Sequence, residues 1–239
     1  MVKGILMVVS NPTVSTTTGW PVGFWASELI HPFEAFTKAG LPVAIASPDG
    51  GPVEVDAWSD PRDSSGYSKD DDLSRSYLNR PDFASRLDNT LRVGDLRAED
   101  FDAIVVAGGQ APMFTFDKAD GLQRIFLDFF RAGKPAAALC HGTALLLHLK
   151  GENEEAFVKG KRMTGFANSE EDYADHAVGS KVMPFRIEDE ARRLGAEFVA
   201  KPAFEPHAVR DGNLVTGQQQ NSGGETARLV LEMLGGHAR

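Results

Sequence analysis

A chain of 239 residues, 42% of them hydrophobic, is long enough to bury one large core or two small ones. Its 25 Lys and Arg against 34 Asp and Glu leave a net charge of −9 with no basic run, which argues against a nucleic-acid surface. No apolar stretch approaches the ~20 residues of a membrane span, and one cysteine, unable to close an internal disulfide, fits a reducing, cytoplasmic setting.

The opening residues 1–10 have too short an apolar run for a signal peptide, lack a small-residue cleavage site and end in a Ser-Asn-Pro turn. They read instead as a first buried strand over residues 4–9, followed by a polar loop over 11–19. Residues 25–38 carry Trp25, Leu29, Phe33 and Phe36 at helical spacing, with Gly40 as a C-cap and Glu28 near the helix start. Residues 42–47 are a second strand and 48–52 a turn cluster. From about 53 to 92 the pattern turns polar, with weak helical signals only around 81–87. A structureless stretch of that length is unusual in a compact domain, so it reads as an insertion with short helices of its own. Its Asp70-Asp71-Asp72 has no His or Cys beside it and not the spacing of a calcium loop; it reads as a solvated loop, not a metal site.

Residues 101–107 form a third strand with Gly108-Gly109 at its carboxyl end, and 119–132 an amphipathic helix stopped by Gly133-Lys134-Pro135. Ala136-Ala137-Ala138-Leu139 is a short buried strand, and Leu145-Leu146-Leu147 continues as a helix. This alternation predicts right-handed crossovers and a three-layer, flavodoxin-like α/β sandwich, a mostly parallel sheet with helices on both faces. The ligand crevice of such a sheet lies beyond the carboxyl ends of its strands, where the first loop, Gly108-Gly109 and Cys140 all fall. After Lys150 come a short strand over 162–166, a polar segment with Glu170-Glu171, and a helix over 185–194 capped by Gly195. A strand over 197–199, a hairpin over 208–216 with an Asp-Gly turn, and a helix over 222–234 close the chain. No repeat or linker appears, so residues 1–239 read as one domain.

Between the fourth strand and its helix stands Cys140-His141-Gly142. A strand turning sharply into a helix lifts its turn residue clear of the sheet, the geometry of a nucleophile elbow, and Gly142 lets the backbone pass close by. Unpaired N–H groups at a helix start favour a thiolate, so a thiol that titrates near 8.5 when free is expected to fall to about 3.5–7.5. A lone cysteine is more often a small buried hydrophobe; the elbow context favours a nucleophile. Gly109 and His141 offer backbone N–H groups for an oxyanion hole. His141 serves as a base if a carboxylate fixes its tautomer, and Glu28 is a candidate acid or base. Taken singly, a glycine pair makes a turn, a helix-start His is a cap and a Glu is solvated. Their joint placement around one crevice carries the functional reading.

Ala138-Leu139-Cys140-His141-Gly142, with Gly108-Gly109 and the upstream Glu28, resembles the ThiJ/PfpI superfamily, of class I glutamine amidotransferase-like fold. The long stretch after the second strand and Thr164-Gly165-Phe166 with Glu170-Glu171 resemble its heat-shock chaperone and glyoxalase III branch. The resemblance implies Cys140 as nucleophile, Glu28 as the carboxyl near its sulfur and His141 as the triad histidine. Glu171 would orient His141, with Glu170 competing for that role, and Gly109 and His141 would supply the oxyanion donors. It implies glutathione-independent conversion of methylglyoxal-type 2-oxoaldehydes to hydroxy acids through a Cys140 hemithioacetal, alongside protein deglycase or holdase activity. It also implies homodimers and no organic cofactor. Two departures stand out: Gln110-Ala111 replaces the branch's usual His-Gly, and Gln218-Gln219-Gln220-Asn221 replaces a common Asn-Pro.

Two other readings compete. One is a cysteine hydrolase or amidase of the same fold; glutaminases of that fold use a late His-x-Glu, whereas this chain has Glu205-Pro206-His207 in the reverse order. The other is a non-enzymatic holdase or a redox sensor acting through Cys140 oxidation.

Overall fold

The computed structural model describes residues 3–151 and 153–235. Met1, Val2, Glu152 and residues 236–239, which the one-domain reading of 1–239 includes, lie outside the described residues. The main sheet is built from β1 (Ile5–Val8), β2 (Val43–Ser47), β3 (Leu91–Arg92), β4 (Ala103–Val106), β5 (Ala136–Leu139), β6 (Ala208–Asp211) and β7 (Leu214–Gly217). Their order is β6-β7-β5-β4-β1-β2-β3, and every pairing is parallel except the β6–β7 hairpin. The helices that matter below are α1 (Ala26–Lys38), α2 (Asp72–Leu78), α3 (Pro81–Asp88), α4 (Asp120–Arg131), α5 (Ala144–His148), α6 (Asn168–Val178), α7 (Ile187–Arg193) and α8 (Gly223–Met233).

Successive side chains of a strand point to opposite faces. Here both faces are apolar, which is why the central strands read as unbroken hydrophobic runs. Ile5, Met7, Ala103 and Val105 pack with Leu29, Ile30 and Phe33 of α1 and with Ala227 and Val230 of α8. Leu6, Val8, Ile104 and Val106 pack with Phe126 and Phe129 of α4 and with Leu145 and Leu146 of α5. The result is the three-layer, flavodoxin-like α/β arrangement expected from the alternation of strands and helices.

Several local readings change. Of residues 162–166 only Arg162–Met163 is a strand, paired with Glu197–Phe198 apart from the main sheet. The polar segment around Glu170-Glu171 is helix α6, and the helix expected over 185–194 is the shorter α7. Residues 53–92 contain α2 and α3 and finish by adding β3 to the sheet edge. Asp71 is no solvated loop residue. It caps α2 by accepting the Ser74 N–H at 3.1 Å and lies 2.9 Å from His31 Nε2. Tyr77 and Phe83 of this segment close on Phe33 of α1, with ring centroids 5.0–5.7 Å apart in edge-on contacts.

Candidate active site

β1, β4 and β5 run side by side, with Val8 opposite Val106 and Val106 opposite Ala138, so their carboxyl ends meet. Cys140 follows β5 at φ +54, a left-handed conformation that costs a residue with a side chain about 1–2 kcal/mol. A tight turn, Cys140–Thr143, then leads into α5. Two glycines let this elbow settle on the end of β4. A Cβ on Gly142 would stand 2.7 Å from the Ala107 carbonyl oxygen, and one on Gly108 would stand 2.7 Å from Gly142 N and 2.8 Å from Glu28 Oε2.

Glu28 reaches the elbow from the first turn of α1. The free N–H of Ala26 at that helix end is met by Ser59 Oγ at 3.0 Å, which ties the 53–92 segment to the helix that carries Glu28. Glu28 is fully buried and its Oε2 accepts the Gly108 N–H at 2.7 Å. Oε1 makes no hydrogen bond among the described residues, and the Cys140 thiol acts on the carboxyl as the first influence opposing its burial. Burial raises the Glu28 pKa to about 8, against the pull of the Cys140 thiol and the Gly108 N–H, and the charge of Asp56 adds to the rise. The thiol is also pushed up, first by burial and then by Glu28, with the His141 N–H pulling back. The expectation of a thiol lowered by a helix start is therefore corrected. Cys140 is 2% exposed, α5 has only five residues, and desolvation outweighs what so short a helix supplies. Below about 8 Glu28 is neutral, so it no longer repels a thiolate and its O–H becomes a donor to sulfur.

His141 Nδ1 lies 3.8 Å from Cys140 Sγ, and its Nε2 lies 3.0 Å from Glu171 Oε1. With the proton on Nε2 held by Glu171, Nδ1 is free to accept one from the thiol. Phe166 lies over the imidazole, its ring centroid 4.2 Å away. Glu170, the competing carboxylate, is engaged elsewhere. Its Oε2 takes the Ala167 N–H at the start of α6, while its Oε1 takes Phe204 N–H and the Gln218 carboxamide. Adjacent residues on a helix point about 100° apart, so one caps and the other reaches His141.

Residues 21–233 match the DJ-1/PfpI family. The chain belongs to the DJ-1/PfpI family. This DJ-1/PfpI protein is 27% identical over 236 residues to the glutathione-independent glyoxalase HSP31 of Saccharomyces cerevisiae, covering 97% of this chain and 98% of that one. Its fold is similar to that of the Rapid Encystment Protein 24 KDa of Francisella tularensis, with a TM-score of 0.87, 25% identity and coverage of 98% and 99% of the two chains. Glyoxalase III from Candida albicans gives a TM-score of 0.80, 26% identity and 96% coverage of each chain.

In this DJ-1/PfpI protein the Cys140 thiol opens into a cavity of about 230 Å³. Trp25, Trp58 and Tyr67 form one aromatic wall, the rings of Tyr67 and Trp58 stacked at 6.1 Å. Trp25, expected on the apolar face of the helix, stands instead at its N-cap and turns to the cavity. Trp58 and Tyr67 had no place in the sequence-based site; two aromatics in a polar stretch were the only signal. Gln110 and Gln220 also line the cavity, whereas Gln218 is buried behind it on Glu170. Glu205 and His207 are not brought to Cys140; the His207 N–H bonds Ser222 Oγ instead. Gly109, at φ +105, wraps closely around residues 23–25. Among the described residues no group of three His, Cys, Asp or Glu side chains is placed to hold a metal ion, and no helix is long and apolar enough to cross a membrane.

Proposed function

We propose that this DJ-1/PfpI protein is a glutathione-independent glyoxalase III-like enzyme that converts small 2-oxoaldehydes such as methylglyoxal to hydroxy acids on Cys140. The observation that carries this reading is the buried trio at one sulfur: a neutral Glu28 on one side and a Glu171-held His141 on the other. The name of the yeast relative supports it.

His141 Nδ1 takes the thiol proton, and the thiolate adds to the aldehyde carbon. The new oxyanion lies toward the N–H groups of Gly109 and His141 and is protonated to a hemithioacetal. A proton then leaves C1, an enediol forms, and a proton is delivered to C2; Glu28, able to hold or release one near neutral pH, performs this exchange. The product is a 2-hydroxy thioester, which water hydrolyses to the hydroxy acid and free Cys140. No electron leaves the substrate, so no redox partner is needed. The sulfur of Cys140 does what the sulfur of glutathione would otherwise do. The one-domain organisation, the homodimer and the cytoplasmic setting belong to the same proposal.

Methylglyoxal incubated with the protein without glutathione is expected to yield lactate, and Cys140→Ser to yield none while remaining folded. No lactate from wild type, or normal yield from Cys140→Ser, would sink the reading.

A further inference from the structure

The cavity at Cys140 is larger than methylglyoxal needs. That substrate carries a single methyl group beyond its carbonyls, whereas the space of about 230 Å³ takes several water-sized groups more. Little of the wall is polar. Beyond Cys140, His141, Gln110, Gln220 and the carboxyls of Glu170 and Glu171, it is made of rings and apolar side chains. Both carboxyls are already taken, Glu170 by Ala167, Phe204 and Gln218, and Glu171 by His141. Among the described residues no lysine or arginine lines the cavity, so a substrate bearing a carboxylate or phosphate would enter without a counter-charge.

Helix α6 supplies one side. Ala174, Ala177 and Val178 stand at i, i+3 and i+4 on one face of the helix, and their short side chains leave room beside the buried Val182 and Met183. Tyr173 of the same helix meets Phe204 edge-on, with ring centroids 5.1 Å apart, and both rings line the cavity. Phe204 is held there against its backbone preference. Its φ is +65, uncommon for a bulky residue. Its N–H donates to Glu170 Oε1 at 3.0 Å, and its carbonyl accepts from the Asn221 carboxamide at 3.0 Å. Backbone strain of this kind clusters at ligand clamps. Trp25 and Tyr67 also meet edge-on, at 6.0 Å. In an edge-on pair the ring that gives its edge keeps its own faces open, and a further flat ring can stack there.

We infer that the cavity is an aryl pocket, and that the preferred substrate of Cys140 is a 2-oxoaldehyde with an aryl group on C2, phenylglyoxal being the simplest. This rests on the glyoxalase reading and names its substrate class. The Cys140 thiol adds to C1, a proton leaves C1 and one is delivered to C2, and water cleaves the thioester. C1 is oxidised from aldehyde to acid as C2 is reduced from ketone to alcohol, so phenylglyoxal plus water gives mandelic acid.

The test uses the full chain, with mandelate and lactate as the measured products. Wild type is expected to show a kcat/KM about 10–100-fold higher on phenylglyoxal than on methylglyoxal, most of it in KM. Two substitutions probe the pocket, and in each the ratio between the substrates is read, so that their intrinsic reactivities cancel. Ala174→Phe fills the space beside Val182 and Met183 and should lower the ratio about 10-fold. Tyr173→Ala removes a ring that is 55% exposed, and so bears little on folding, and should lower it about 3-fold. A further readout needs no turnover. Acetophenone, which has the ring and no aldehyde, should slow iodoacetamide alkylation of Cys140 several-fold at millimolar concentration, and acetone should not. Equal or higher kcat/KM on methylglyoxal, a ratio that both variants leave unchanged, or alkylation indifferent to acetophenone would each overturn the inference. If Ala174→Phe does not fold, Tyr173→Ala decides. A wild type that turns over neither aldehyde defeats the glyoxalase reading instead, and acetophenone still decides whether the cavity takes an aryl group.

Discussion

At pH 7 the Glu28 carboxyl, held up to about 8 by burial, keeps its proton beside a thiol that burial also pushes up. Both acids therefore hold their protons at pH 7, ionising one makes ionising the other harder, and the apparent values belong to the pair. Glu28→Gln removes the competing charge and keeps an N–H donor for the sulfur, but it has no proton to exchange with the substrate. Iodoacetamide should alkylate Cys140 in this variant at pH 6 as fast as in wild type, and faster at pH 9, where wild-type Glu28 is ionised. Lactate formation from methylglyoxal should drop by about 100-fold or more, the scale of general acid–base assistance. Slower alkylation at both pH values would make Glu28 necessary for forming the thiolate. Normal lactate formation would move the proton exchange to His141. Cys140, His141 and Glu28 were legible because each sits at the end of an element whose apolar pattern is plain. Asp56 was not, since nothing periodic surrounds it and its burial comes from a bridge to residues 23–25 that only the folded chain makes.

The elbow is an element held in place by what two glycines lack. Gly108→Ala would put a methyl group 2.7 Å from Gly142 N and 2.8 Å from Glu28 Oε2, and two of its three nearest neighbours are backbone atoms that cannot swing away. The expected cost is about 1–3 kcal/mol, the range for forcing extra volume into a packed interior. Because the strain falls on the Cys140–Thr143 turn, lactate formation should fall far more than the guanidinium midpoint does. A variant with native stability and native turnover would show that the elbow has slack. The same scale explains what the sequence left unread. Strands β1, β4 and β5 are continuous apolar runs, hence legible, but α6 was not. Its buried residues are Glu170 and Glu171, so its inward face carries carboxyl groups where a hydrophobic stripe would normally announce a helix. Residues 162–166 misled in the opposite direction. Their apolar residues serve the core and the His141 stack, yet beyond Met163 the backbone leaves the ladder: Thr164 N–H bonds the Thr216 hydroxyl instead.

For the whole molecule, a site made of buried acids sets how stability responds to pH. An acid whose folded pKa is raised binds a proton that the unfolded chain has released, so stability falls as pH climbs from the ordinary value toward the raised one. For Glu28 that window runs from 4.5 to about 8, and for Asp56 from 3.8 to about 6; Glu170 is raised by burial as well. Carboxylates such as Glu34 and Asp71, held down by their partners, act only at acidic pH, below their ordinary values. His148 and His207, lowered first by burial, push the other way, but only below their ordinary 6.5. Between 6.5 and 8 Glu28 is thus the group with the largest leverage. Its proton alone tilts the stability curve by up to about 1.4 kcal/mol per pH unit. The guanidinium midpoint of wild type is expected to fall steadily from pH 6.5 to 8. Glu28→Gln, which has no proton to lose, should flatten that fall and leave the variant more stable than wild type at pH 8.5. If wild-type stability were flat or rising over this interval, Glu28 would be ionised in the folded protein. The neutral acid at the sulfur, and the proton exchange built on it, would then have to be abandoned.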